Sequence, residues 1–220
     1  MANQAKPLGV LGGTFDPIHY GHLRLAEEAL DACALERVIL IPAAVPNLRA
    51  APRTPAQHRL AMTRLAVQGN PRLAVDGREL NREGTSYTVD TLQELRAEFG
   101  AQRPLCLVLG ADAFLRLPAW NRWQQLFALA HIIVATRPGY ELQAAVNQAA
   151  ELSAQCRTRM SAAASDLAQT SCGRIVSVTI PLLEISATDI RTRIAAAAST
   201  RYLLPDAVLD YIVAQHLYEN

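Results

Sequence analysis

Two histidines three residues apart, His19 and His22, lie in the run G-G-T-F-D-P-I-H-Y-G-H-L from Gly12 to Leu23. An imidazole donates a hydrogen bond to a phosphate oxygen and, when protonated, adds charge. The run follows a short apolar stretch, Pro7 to Leu11. It precedes apolar side chains at Leu23, Ala26, Leu30 and Cys33, the spacing of a helix over 22–33. In a strand–turn–helix order, Gly12 and Gly13 let the backbone approach a ligand closely. The N–H groups of the turn and of the helix start can then hold phosphate oxygens. Two histidines alone would read more readily as a surface pair or a weak metal site. Their position after a glycine turn favours phosphate.

A second constellation is I-S-A-T-D-I-R, Ile185 to Arg191. Ser186 followed by Asp189 has a capping-box pattern, so a well-capped helix is expected whatever the function. A capped N-terminus bearing Ser186 and Thr188 hydroxyls is also a phosphate cradle. Arg191, in the first turn, would add a planar, permanently charged fork.

Composition removes several alternatives. Of the 21 positive residues one is lysine, Lys6, and Pro7 follows it, so a Gly-Lys-Ser/Thr phosphate loop is excluded. A catalytic Schiff base would have to use that single lysine. The net charge of +1 gives no basic field for nucleic acid or an anionic membrane, and neither partner is expected. Hydrophobic residues make up 50% of the 220, enough for a full core. No signal peptide and no membrane span is expected. Cys33, Cys106, Cys156 and Cys172 show no metal-binding or disulfide pattern, which points to free thiols in a cytoplasmic protein.

The elements that must position these residues alternate. Strands are predicted over 7–11, 37–41, 72–76, 105–109, 131–135 and 174–180. Helices are predicted from Thr54 to about Gly69, with Thr54 and Gln57 as a capping box, and over 88–99, stopped by Gly100. This is the pattern of an α/β fold, a parallel sheet with helices on both faces and ligands outside the carboxyl ends of the strands. A single domain spanning 1–220 is expected. The exception to the alternation is an Ala-rich stretch over about 141–173, read as a peripheral insertion of one long helix or two shorter ones.

Between the cradles lie R-E-G-T-S-Y-T-V-D-T-L (Arg82 to Leu92) and G-A-D-A-F-L-R-L-P-A-W-N-R-W (Gly110 to Trp123). Asp112, just past a buried strand, could accept hydrogen bonds from ribose or a ring nitrogen group. Trp120 suits stacking on a planar base, whereas Trp123 reads as core. Arg137 follows a strand end.

T-F-D-P-I-H-Y-G-H resembles the His-x-Gly-His motif of the nucleotidylyltransferase superfamily, and I-S-A-T-D-I-R its I-S-x-T-x-I-R motif. S-Y-T-V-D-T-L, G-x-D-x-x-x-x-L-x-x-W and R-Y-L-L-P-D-A-V-L-D-Y-I (Arg201 to Ile212) are similar to segments of the bacterial nicotinate-nucleotide adenylyltransferases. The likeness spans most of the chain and lapses across 141–173. It implies a Rossmann-like doubly wound sheet and the joining of nicotinate mononucleotide to ATP, giving nicotinate adenine dinucleotide and pyrophosphate in NAD biosynthesis. It implies that Gly12, Gly13, Thr14, Phe15, His19, His22, Asp112, Ser186, Thr188 and Arg191 bind ATP. Of these His19, His22 and Arg191 would be catalytic, with His22 stabilising charge on the α-phosphate. Thr85, Trp120, Arg49 and Arg137 would face the mononucleotide. Mg²⁺ would enter with ATP, with no dedicated protein metal site. In V-P-N-L-R (Val45 to Arg49) the chain departs from the family, which often has a histidine where Leu48 stands.

Three alternatives stand beside this reading. A pantetheine-phosphate adenylyltransferase shares the first motif but lacks the S-Y-T-V-D-T-L and Trp combination. A class I tRNA-synthetase-like protein needs a lysine-rich loop that Lys6 cannot supply. A non-catalytic nucleotide-binding regulator would be discordant with the joint presence of His19, His22 and Arg191. A homo-oligomer is left open by the sequence.

Overall fold

The computed structural model describes residues 5–47, 51–181 and 183–219. The strands are β1 (Leu8–Gly13), β2 (Arg37–Pro42), β3 (Leu73–Val75), β4 (Leu105–Gly110), β5 (His131–Thr136), β6 (Met160–Ser161) and β7 (Ile175–Thr179). The helices are α1 (Tyr20–Ala32), α2 (Ala56–Ala66), α3 (Thr88–Phe99), α4 (Ala111–Leu115), α5 (Leu126–Leu129), α6 (Leu142–Asn147), α7 (Ala150–Cys156), α8 (Ala187–Ala195) and α9 (Asp206–Ala214).

The strands form one parallel seven-stranded sheet in the order β3-β2-β1-β4-β5-β7-β6. It is flanked by helices, the expected Rossmann-like α/β class. The order reverses between β1 and β4, and in an open parallel sheet such a switch point is where a crevice for ligands opens. The chain packs as two compact units. One comprises Met1–Leu11, Ala26–Val38 and Tyr87–Leu182; the other comprises Gly12–Leu25, Ile39–Ser86 and Leu183–Asn220.

In the first unit, β4 and β5 are buried along nearly their whole length, as befits parallel strands covered on both faces. Their register pairs Cys106 with His131 and Gly110 with Ala135. Helix α3 buries Val89, Leu92 and Leu95 on one face. It stops at Gly100, whose φ of 83° suits a residue without a Cβ. His131 is fully buried within the apolar run 126–135. Its Nδ1 accepts from the Arg174 N–H at 3.0 Å, so Nε2 carries the proton and donates to the Thr170 carbonyl at 2.9 Å. Burial pushes its pKa down, and the ring serves as a neutral brace. Arg96 braces the same region, donating to the carbonyls of Arg103, Leu129 and Ser171.

The Ala-rich stretch does more than form two helices. After α6 and α7 it adds β6, which pairs parallel with β7 through Met160–Ile175 and Ser161–Val176. Leu142, Val146, Leu152, Cys156 and Leu167 are buried. A two-residue edge strand needs no run of β-branched residues, so composition concealed it.

In the second unit, α2 packs against α9. The predicted cap of α2 is corrected. The helix begins after Pro55, with no side-chain cap, and ends at Ala66 rather than Gly69. Thr54 is buried instead, its carbonyl accepting from Arg59 Nε at 3.1 Å and its side chain hydrogen-bonding the Tyr218 phenol. A tertiary partner thus outcompetes the local cap. Helix α1 also starts earlier than predicted, at Tyr20, placing His22 inside its first turn.

Candidate active site

The two predicted phosphate-binding segments both belong to the second unit. At the first, the His19 and His22 rings stack with centroids 3.7 Å apart and planes 28° apart. The intervening Gly21 makes this possible. A Cβ there would lie 3.0 Å from the His19 ring, tighter than ordinary contact. Phe15 meets His22 edge-on at 5.0 Å. Gly13 makes room for Phe15, since a Cβ at 13 would stand 2.5 Å from that ring. Phe15 is buried with a left-handed φ of 49°, a conformation a bulky residue adopts only when its surroundings impose it.

Those surroundings centre on Arg59, 1% exposed. Its guanidinium donates to the carbonyls of Thr14 at 2.7 Å, Ala44 at 3.0 Å and Thr54 at 3.1 Å. Three loop segments are therefore held by one side chain. Burial draws the Arg59 pKa down, opposed by the negative charge of Asp16. Asp16 is also buried; its Oδ1 accepts from the Tyr218 hydroxyl at 2.7 Å and its Oδ2 from the Arg53 N–H at 2.9 Å.

Burial also lowers the His19 pKa to about 4, so this imidazole is neutral at physiological pH. It contributes a hydrogen bond and shape rather than positive charge. Its Nδ1 is buried without a partner among the described residues. Buried polar atoms in folded proteins almost always have a hydrogen-bond partner, so an atom in this state calls for an explanation.

At the second segment the predicted cap is realised. Ser186 Oγ accepts from the Asp189 N–H at 3.0 Å and α8 follows. Arg191 lies over this turn, donating from Nη2 to Thr188 Oγ1 at 3.2 Å. Its Nη1 donates to the main-chain carbonyl of Asp16 at 2.7 Å. That bond ties the two segments together across 175 residues of sequence. Arg191 Nε is likewise buried without a partner among the described residues.

Thr85 is half-buried in the same unit. Its neighbour Ser86 accepts through Oγ from the N–H groups of Ala44 and Val45, at 3.0 and 3.3 Å. Thr85 thus stands beside the loop after β2. Arg49 lies outside the described residues.

The remaining expected residues belong to the first unit. Asp112 is exposed in α4, directly after β4; Arg137 is exposed directly after β5; Trp120 is half-buried. Trp123 is core, packed edge-on to Phe127 at 6.0 Å. An ion pair between Asp90 and Arg122 joins S-Y-T-V-D to W-N-R-W. No three metal-ligating side chains converge among the described residues.

Arg59, Asp16 and Tyr218 escaped the motif reading. A signal for Arg59 was present: it shares a helix face with Met62 and Thr63, both buried. A charged residue at a core position of a helical pattern is rarely there without fixed partners.

The cytidylyltransferase-like family profile matches residues 10–193. A protein of Dechloromonas aromatica named "Probable nicotinate-nucleotide adenylyltransferase" is 46% identical over 216 residues, covering 98% of this chain and 99% of its own. One of the same name from Halorhodospira halophila is 47% identical over 218 residues, covering 99% and 98%. Among solved structures, the Plasmodium falciparum nicotinic acid mononucleotide adenylyltransferase complexed with NaAD aligns with a TM-score of 0.69 at 16% identity, over 97% of each chain; that likeness speaks for the fold. With the motifs, the sheet order and near-full-length identity in agreement, the chain belongs to the nicotinate-nucleotide adenylyltransferases of the cytidylyltransferase-like family.

Proposed function

We propose that the chain is the enzyme its family implies, a nucleotidyltransferase that joins nicotinate mononucleotide and ATP into nicotinate adenine dinucleotide and pyrophosphate, a step of NAD biosynthesis. The observation that carries the site assignment is the Arg191–Asp16 bond. It couples the stacked histidines of one anion-binding segment to the arginine of the other.

In this reading an oxygen of the mononucleotide 5′-phosphate attacks the α-phosphorus of ATP in line. The bond from that phosphorus to the bridging oxygen breaks, and the oxygen leaves with pyrophosphate. Catalysis is then positioning and charge stabilisation. The N–H groups of Gly12 to Phe15 and the start of α1 hold the triphosphate. His19, neutral, accepts or donates one hydrogen bond. His22 stabilises the charge growing at the α-phosphate. Ser186, Thr188 and Arg191 take the β- and γ-phosphates, and Arg191 Nε, without a partner among the described residues, is available to them. Asp112 attends the ATP sugar or base; Thr85, Trp120, Arg49 and Arg137 attend the mononucleotide. Mg²⁺ belongs to the substrate as its ATP complex.

No helix among the described residues is long and apolar enough to cross a membrane. Cys33, Cys106 and Cys156 are buried free thiols. Burial raises Cys33 and Cys156 to about 11, holding them protonated and inert. Buried free thiols suit a reducing compartment and support the reading of a cytoplasmic enzyme.

The test is pyrophosphate release with ATP and, in turn, nicotinate mononucleotide, nicotinamide mononucleotide and phosphopantetheine. Release with the nicotinate acceptor, faster than with phosphopantetheine, is expected. Release with phosphopantetheine alone would reassign the acceptor, and silence with all three would mark a nucleotide-binding regulator.

A further inference from the structure

We infer that Tyr218, on the segment after α9, is a positioning residue for the triphosphate site, acting on Arg191 through Asp16. This rests on the reading of Arg191 as a phosphate ligand. All the residues involved lie within the second unit.

The geometry forms a chain of contacts. The Tyr218 hydroxyl donates to Asp16 Oδ1 at 2.7 Å and hydrogen-bonds the Thr54 side chain. The Arg53 N–H occupies Asp16 Oδ2 at 2.9 Å. With both oxygens engaged, the buried carboxylate has one orientation. The Asp16 main-chain carbonyl, 2.7 Å from Arg191 Nη1, is anchored with it. Thr188 Oγ1 engages Nη2, so two contacts fix the guanidinium plane before any ligand arrives. An arginine immobilised during folding does not lose that freedom on binding ATP, which is how preorganisation raises affinity.

The backbone leading to Tyr218 supports a placed role. His216 and Tyr218 take left-handed φ values of 49° and 67°, while the Tyr218 side chain is buried. A non-glycine residue holds such a conformation when its surroundings over-determine it. Burial drives the phenol pKa upward, so the hydroxyl remains a neutral donor wherever the enzyme works.

Tyr218→Phe removes only the donor. Asp16 Oδ1 is then left buried without it, the carboxylate reorients, and the carbonyl under Arg191 is released. The expected result in the full-length enzyme is a rise of about tenfold in KM for ATP, the worth of one hydrogen bond to a charged group. KM for nicotinate mononucleotide should stay unchanged, and the far-ultraviolet spectrum should be that of the parent. Asp16→Asn, which leaves the phenol in place, reads the same link if Tyr218→Phe fails to fold. Arg191→Ala is run in parallel. An ATP KM unmoved by Tyr218→Phe but raised by Arg191→Ala overturns the latch alone. An ATP KM unmoved by Arg191→Ala removes the phosphate role of Arg191 and the latch with it. Equal rises in both KM values, or lost thermal stability with unchanged kinetics, would mean that Tyr218 only supports the fold.

Discussion

The two segments proposed to bind phosphate reach their geometry by different means. Gly12 to His22 is built by packing. A buried phenylalanine holds a left-handed backbone, two imidazoles stack, and a buried arginine grips the Thr14 carbonyl from another helix. Ser186 to Arg191 is built locally. A serine caps its own helix, and a threonine three residues before the arginine orients it. The first segment is held by the rest of the unit throughout; the second takes its cap and the Thr188 contact from its own sequence and one distant contact, the Asp16 carbonyl on Arg191. Mutations should therefore propagate widely from the first, whereas in the second they should stay local except through the Asp16–Arg191 bond.

The largest expected effect is His22→Ala, on the order of 10²–10³ in kcat, the usual loss when one preorganised donor is removed from a charge-stabilising site. The fold should survive, as a circular dichroism melt would check. Near-parental turnover would remove His22 from the mechanism.

Stability against pH probes the packing that surrounds the histidines. His19 has its pKa lowered from 6.5 to about 4 by burial. Between those values the unfolded chain binds a proton that the folded chain does not, so stability rises with pH there. It is fully present above pH 6.5 and is lost as the pH falls toward 4. The slope is up to about 1.4 kcal/mol per pH unit. Denaturant melts of the parent and of His19→Gln between pH 4.5 and 7.5 would show it; equal slopes would mean that His19 is not desolvated.

Gly13→Ala tests the steric half of the comparison. The added methyl meets the immobile Phe15 ring, and overpacking of this kind costs about 1–3 kcal/mol. A lower melting temperature is expected together with a lower kcat, since Phe15 edges against His22. Ser186→Ala should be mildest, about 1 kcal/mol for a lost cap. Its effect on turnover should appear as weaker ATP binding only. If it lowered kcat as much as the glycine change, the two segments would not differ as described.

Much of the local structure of the candidate site was legible before any coordinates. His19 and His22 are recognisable because a glycine turn, a helix start and an imidazole spacing are all local patterns. Ser186 and Asp189 announce their cap for the same reason. Thr54 misled because its capping pattern is equally good, yet a buried hydroxyl gains more from Tyr218 than an exposed one gains from a helix end. The strand at Met160 stayed hidden because two residues on a sheet edge leave no periodicity to read.

Local spacing and residue type were enough to read the alternation of strands and helices, to exclude a Gly-Lys-Ser/Thr phosphate loop and to propose which side chains bind phosphate. Folding added the contacts among residues far apart in the chain: Arg59 on three carbonyls, Tyr218 on Asp16, and Asp16 beneath Arg191. No short-range pattern encodes them. They arise because a buried charge or polar group must find its partner wherever the packed chain supplies one.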